Sequence, residues 1–183
     1  MSLTPSNMLP LGTKAPNFLL QDTVSGNHLS FDQLKSEKAT VVMFICNHCP
    51  FVIHVNPELV RMANEYKSKG VSFIAISSND VENYPEDGPK EMKLVAKVLQ
   101  FPFPYLYDKR QEVAKAYDAA CTPDFYVFDG NDNLAYRGRL DDSRPGNNIP
   151  LSGNDLRNAI DAVLSGSSVE TQYPSMGCNI KWK

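Results

Sequence analysis

Residues 39–50 read ATVVMFICNHCP. The first seven form a continuous apolar run rich in β-branched and aromatic side chains, with no charge to mark a solvent face. That composition predicts a strand buried on both faces, hence central in a parallel or mixed sheet. The run stops at Cys46, and Cys46-Asn47-His48-Cys49-Pro50 stands where the strand gives way to a helix. Residues 57–66, PELVRMANEY, place Leu59, Met62, Ala63 and Tyr66 at helical spacing, and Gly70 is a natural stop. Pro57 either opens this helix or lies inside a longer one begun near Pro50.

The location gives the two cysteines their chemistry. The first turn of a helix offers unpaired N–H groups and the positive end of the helix dipole, and both favour an anion. A thiolate there is stabilised, and its pKa can fall from ~8.5 to roughly 3.5–7. Two intervening residues let both sulfurs meet across one turn, so the pair can cycle between dithiol and disulfide with little backbone motion. A protonated His48 would lower the thiolate pKa further. Metal binding competes with this reading: Cys46 and Cys49 could be half of a zinc site, or could form an open copper or zinc site with His54. Closed zinc sites draw ligands from a second knuckle, whereas Cys121 and Cys178 are isolated and there is no second CxxC. The redox reading therefore leads, with no metal expected.

Outward from the motif, NFLLQD at 17–22, SGN at 25–27 and His28-Leu29 predict a β-hairpin. VSFIAIS at 71–77 is a second buried strand, and DVENYPEDGP at 80–89 is a turn-rich insertion. A helix is signalled at 90–99, a short strand at 105–107, and a short helix by Val113, Ala116 and Tyr117. Cys121-Thr122-Pro123-Asp124 leads into a hairpin, 124–129 and 133–140, turning at Gly130-Asn131. Pro123 cannot donate to a ladder and belongs at a strand entry; on composition alone its bond can be cis or trans. A last helix runs from about Ser152 to Ser165. There Ser152 and Asp155 resemble a capping box, and Gly166 suits the C-terminal cap. Asp141-Asp142-Ser143-Arg144 reads as a solvated loop, and the tail 167–183 shows no periodicity. Alternating strands and helices followed by an antiparallel hairpin predict an α/β fold, a central mixed sheet flanked by helices. One domain over 1–183 is expected.

Composition agrees. With 183 residues, 42% hydrophobic and 21% charged, the chain is ordinary for a globular protein. A formal net charge of -3 removes the usual driver of nucleic-acid binding, and no apolar run approaches the roughly 18 residues that span a membrane. No basic n-region and apolar stretch mark the first residues, so a cytoplasmic location is expected. Four cysteines are too few for a disulfide scaffold.

KAPNFLLQD with its hairpin, the strand entering CNHC, and Thr122-Pro123 before the last hairpin and helix resemble the thioredoxin-like superfamily, from about Pro16 to Leu164. KAPNF and the long N-terminal extension resemble its alkyl hydroperoxide reductase/thiol-specific antioxidant (redoxin) branch. CNHCPFV, TPDFYVFD and GCNIKWK are similar to that branch's peroxiredoxin-like group. The resemblance implies a thioredoxin-like fold with an N-terminal hairpin extension. It makes Cys46 an exposed nucleophile, Cys49 the resolving cysteine and Pro123 cis, with Thr122 presenting backbone to substrate and His48 and Pro50 bordering it. His48, placed as in disulfide isomerases, implies a less reducing potential than thioredoxin's. The implied activity is thiol–disulfide exchange without a bound cofactor, acting on protein or small-molecule thiols and disulfides and served by an external reductant or oxidant.

Two departures matter. Peroxidases of the branch carry their attacking cysteine at the position of Cys49, within a Pro-x-x-x-Thr/Ser-x-x-Cys pattern. Here Val42 replaces the proline and Cys46 the hydroxyl residue, so thiol peroxidase activity is an alternative and not the first reading. Thioredoxin also has a buried acid in the strand before its cysteines, and the 39–45 run has none. Cys121 and Cys178 are possible accessory thiols: Cys121 near the pair, Cys178 as a resolving thiol folding back or as a partner of Cys121. Each is otherwise a packing residue.

Overall fold

The structure, a computed structural model, describes residues 3–183. In chain order it contains β1 (Leu3–Pro5), β2 (Leu19–Asp22), β3 (His28–Ser30), α1 (Phe31–Leu34), β4 (Ala39–Phe44), α2 (Pro50–Lys67) and β5 (Val71–Ser77). A 3-10 turn (Pro85–Asp87), α3 (Pro89–Val98), β6 (Tyr105–Tyr107), α4 (Glu112–Ala116), β7 (Cys121–Thr122), β8 (Asp124–Asp129), β9 (Leu134–Gly138), α5 (Asn154–Ser165) and β10 (Met176–Asn179) follow.

The main sheet has seven strands in the order β3-β2-β6-β5-β4-β8-β9. β4 runs parallel to β5 and antiparallel to β8, so the sheet is mixed and β4 is flanked on both edges. All six residues of β4 are buried. Alternate side chains serve opposite faces, as strand geometry requires. Val41 and Met43 pack with Leu59 and Met62 of α2, Met92 of α3, and Leu156 and Ile160 of α5. Val42 and Phe44 pack with Phe31 of α1 and Val113, Ala114 and Tyr117 around α4. Each such side chain contributes about 1.5–3 kcal/mol on full burial, so the apolar run at 39–45 anchors both layers.

The tail departs from its expected irregularity. β10 is the middle strand of a second, antiparallel sheet, β1-β10-β7, with Cys178 opposite Leu3 on one side and Thr122 on the other. Ile180 N–H donates to Ala120 O at 3.0 Å, and Asp80 N–H donates to Lys181 O at 2.8 Å. The tail thereby ties the 80–89 insertion to the loop before Pro123.

Two smaller expectations also fail. No capping box forms at Ser152 and Asp155: the cap of α5 is Gly153, at φ 70°. Asp141 does the work instead, its Oδ2 accepting from Ser152 N–H at 2.7 Å and Gly153 N–H at 2.6 Å. For the same reason the 141–144 loop is not solvated throughout; Asp141 and Ser143 are buried. Among the described residues no helix is long and apolar enough to cross a membrane.

Candidate active site at the start of helix α2

The buried strand delivers Cys46 to the end of the sheet, and α2 begins four residues later. Cys49 is its N-cap and Pro50 its first residue, with Pro57 inside a continuous helix. Cys49 O accepts from Val52 N–H and Ile53 N–H, both at 3.0 Å. The Cys49 sulfur faces three groups besides the helix. It lies 2.8 Å from Cys178 Sγ and 3.3 Å from Thr122 O, with Cys46 within reach of hydrogen bonding to it. Cys46 Sγ is in turn 3.4 Å from Thr122 Oγ1. The Thr122–Pro123 bond is cis.

These contacts decide where the charge sits. Hydrogen bonding from Cys46 is the largest influence on Cys49; with help from Cys178 and the Val52 N–H, it outweighs burial and brings the thiol down to about 5. Cys46 moves well upward, because its proton is held by Cys49, because it is buried, and because Asp87 lies nearby. Of the pair, Cys49 is therefore the thiol more readily ionised and Cys46 the one that keeps its proton. Burial, then the proximity of Cys49, raises Cys178 to about 12. Cys121 is pushed far up, chiefly by burial.

The expectation of an exposed Cys46 is not met: it is 2% exposed. The 80–89 insertion covers it. Asp87, fully buried, accepts from Asn47 N–H at 2.7 Å, His48 N–H at 3.2 Å and Asn79 Nδ2 at 2.7 Å. Its Oδ2 also lies 2.6 Å from His48 Nδ1, and the His48 ring stacks on Tyr84 with centroids 5.5 Å apart. Asp87 is the site's buried carboxylate. It comes from the insertion, not from the strand, and the sequence offered no signal separating it from Glu82 or Glu86 beside it.

His54 does not join the cysteines, so the expected Cys46, Cys49 and His54 ligand set is not assembled. Its Nε2 lies 3.0 Å from Ser143 Oγ. The donor atoms that do converge are those of Cys46, His48 and Asp87, all within 4.8 Å of one another; these could hold a metal. Cys121 also stays apart from Cys178. The β10–β7 register sets Cys178 opposite Thr122 and Asn179 opposite Cys121, so the two cysteine side chains leave opposite faces of the strand pair. Pro50 is exposed at the mouth of the helix. Beside Pro123 lies a cleft of about 350 Å³, lined by Phe51, His54, Pro123, Arg139, Ser143 and Met176 among others.

A strand ending in thiols at the start of a helix, facing a cis proline across a mixed sheet, defines a thioredoxin-like protein. The AhpC/TSA family model matches residues 11–137, and the chain belongs to that family. It is similar to an uncharacterized conserved protein from Geobacillus kaustophilus (TM-score 0.98, 61% identity, 100% of this chain and 97% of that one). It is also similar to a hypothetical protein from Sinorhizobium meliloti 1021 (TM-score 0.96, 45% identity, 98% of each chain). At 19% identity it shares its fold with the thioredoxin domain of a thiol-disulfide oxidoreductase from Bacteroides vulgatus (TM-score 0.67, 86% of this chain and 99% of that one). No curated protein matches the chain. Family and fold together are those of the redoxins.

Proposed function

We propose that the protein is a thiol–disulfide oxidoreductase working through Cys46 and Cys49. The observation that carries this reading is the placement of the pair: at the start of α2 and beside cis Pro123, Cys46 Sγ lies 3.4 Å from Thr122 Oγ1 and Cys49 Sγ 3.3 Å from Thr122 O, with the proton kept on Cys46 and Cys49 lowered to about 5. Passing that proton to Cys49 leaves the charge on Cys46, where the Thr122 hydroxyl can donate to it. Cys46 attacks one sulfur of a substrate disulfide and expels the other as a thiolate, which takes up a proton. Cys49, ionised again, attacks Cys46 in the mixed disulfide. The second substrate thiol departs and a Cys46–Cys49 disulfide remains. An external dithiol returns the pair to its reduced form; no bound organic cofactor takes part. The cleft beside Pro123 suits the apolar flank of a substrate, with His48, Pro50 and Thr122 bordering the sulfurs.

A second reading, thiol peroxidase, is favoured by one feature: the thiol brought down to about 5 is Cys49, where the family's peroxidases carry their attacking cysteine. Val42 and Cys46 still stand where those enzymes have proline and hydroxyl.

The test compares wild type with Cys46→Ser in reduction of insulin and of oxidised glutathione, and follows hydrogen peroxide consumption by stopped flow. Exchange activity in wild type and its loss in Cys46→Ser are expected. Full activity in the variant overturns the mechanism. Peroxide consumption well above that of a free thiol, without disulfide reduction, selects the second reading.

A further inference from the structure

We propose that Cys178 is a third redox thiol of this site, exchanging with the Cys46–Cys49 disulfide to form a Cys49–Cys178 disulfide, so that Cys49 is the hub of two mutually exclusive bonds. The proposal rests on the dithiol reading for its starting state. Its geometric ground is the 2.8 Å separation of the Cys49 and Cys178 sulfurs, which must close by only about 0.8 Å to reach bond length. The contact is built into the fold. β10 is held between β1 and β7, with Cys178 directly opposite Thr122, and the Cys178 backbone N–H also points at the Cys49 sulfur. Gly177 allows the close approach: a Cβ there would stand 2.0 Å from Thr122 O and 3.3 Å from Pro123 Cδ. Cys121, on the opposite face, is excluded as the partner.

The exchange needs no added oxidant. Cys178 Sγ attacks Cys49 Sγ, the Cys46–Cys49 bond breaks, and its electron pair leaves on Cys46, which takes the proton that Cys178 gives up. One disulfide is present before and after. In the reduced protein burial, the hydrogen bond to Cys49 and the Cys49 charge all hold the Cys178 proton; once Cys49 is in a disulfide, the last two are gone. Cys178 therefore ionises more readily once the first pair is oxidised, with burial alone still opposing it, and the exchange restores Cys46 as a thiol.

Tryptic mapping separates the two bonds. Cys46 and Cys49 share peptide 39–61, whereas Cys178 lies on peptide 158–181. The reduced full-length protein is equilibrated with glutathione buffers of rising potential, quenched in acid, alkylated and digested. Wild type should give both a looped 39–61 peptide and a 39–61/158–181 pair, with fragmentation placing the link at Cys49. Cys46→Ser should give the linked pair alone, in about tenfold excess over Cys49→Ser. The proposal is overturned if 39–61 is fully looped and no linked pair forms in wild type, or if the pair persists undiminished in Cys49→Ser. Wild type needs no variant to fold, so the first criterion stands alone. A protein that forms the pair yet reduces neither insulin nor glutathione refutes the dithiol activity and not the Cys49–Cys178 bond.

Discussion

Cys49 and Cys46 are separated by two residues, yet their protons behave oppositely. The difference lies in donors. Cys49 caps α2 and is lowered by hydrogen bonding with Cys46, Cys178 and the Val52 N–H; Cys46 keeps its proton and has Asp87 nearby. Removing a donor should therefore move Cys49 upward from about 5, and Cys46→Ala should move it further than Cys178→Ala, since Cys46 is the larger influence. Ultraviolet thiolate absorbance of the reduced variants against pH measures both shifts. At a pH near 6, alkylation of Cys49 should slow about tenfold for each unit by which its pKa rises above that pH. An unchanged midpoint in both variants would reject the hydrogen-bond origin of the charge.

At the scale of elements, β4 was legible because local pattern and tertiary environment agree, an unbroken apolar run being buried; the start of α2 was narrowed to Pro50 or Pro57, either of which suits a first turn. β10 was not legible. Met176-Gly177-Cys178-Asn179 has no alternation, a central glycine that weakens a strand, and partners more than fifty residues away. The residues of the pair could be named from the sequence, and Cys178 as one of two possible accessory thiols, but neither its contact with Cys49 nor the carboxylate above the pair could be read, since both arrive on segments whose local pattern is that of a loop. The capping box at Ser152 failed for a similar reason, because Asp141, distant in sequence, meets the same N–H groups. The dependence of β10 on close approach gives a direct test. Gly177→Ala places a methyl group against Thr122 O, so β10 must shift. A loss of about 1–3 kcal/mol in urea unfolding is expected, with a weaker Cys49–Cys178 link in oxidised samples. Unchanged stability and linkage would mean that the strand accommodates the methyl group.

Across the whole molecule, two buried groups set opposing pH dependences. Asp124 and Arg137 are both fully buried and paired at 3.0 Å, joining β8 to β9. Burial raises Asp124 from 3.8 to about 7 despite the pull of Arg137, so the native state holds a proton that the unfolded chain has lost. Its contribution is complete below pH 3.8 and disappears as pH rises through about 7. Cys49 has the opposite sign: lowered from 9.0 to about 5, its contribution is complete above pH 9.0 and is lost as pH falls through about 5. Asp141 and Asp129, both lowered, act below the ordinary carboxylate range and leave this interval alone. Between pH 5 and 7 the two slopes oppose each other, each at most ~1.4 kcal/mol per pH unit, and the reduced protein should show a nearly flat stability profile that rises above pH 7 until, near the ordinary thiol value of 9.0, the raised thiols of Cys46, Cys121 and Cys178 oppose Cys49. Asp124→Asn should uncover the rise across the whole interval, and Cys49→Ala should uncover the fall up to pH 7. Urea unfolding under reducing conditions at successive pH values reads both. A flat profile in either variant would remove that group from the account and leave the wild-type curve to be set by the surface charges.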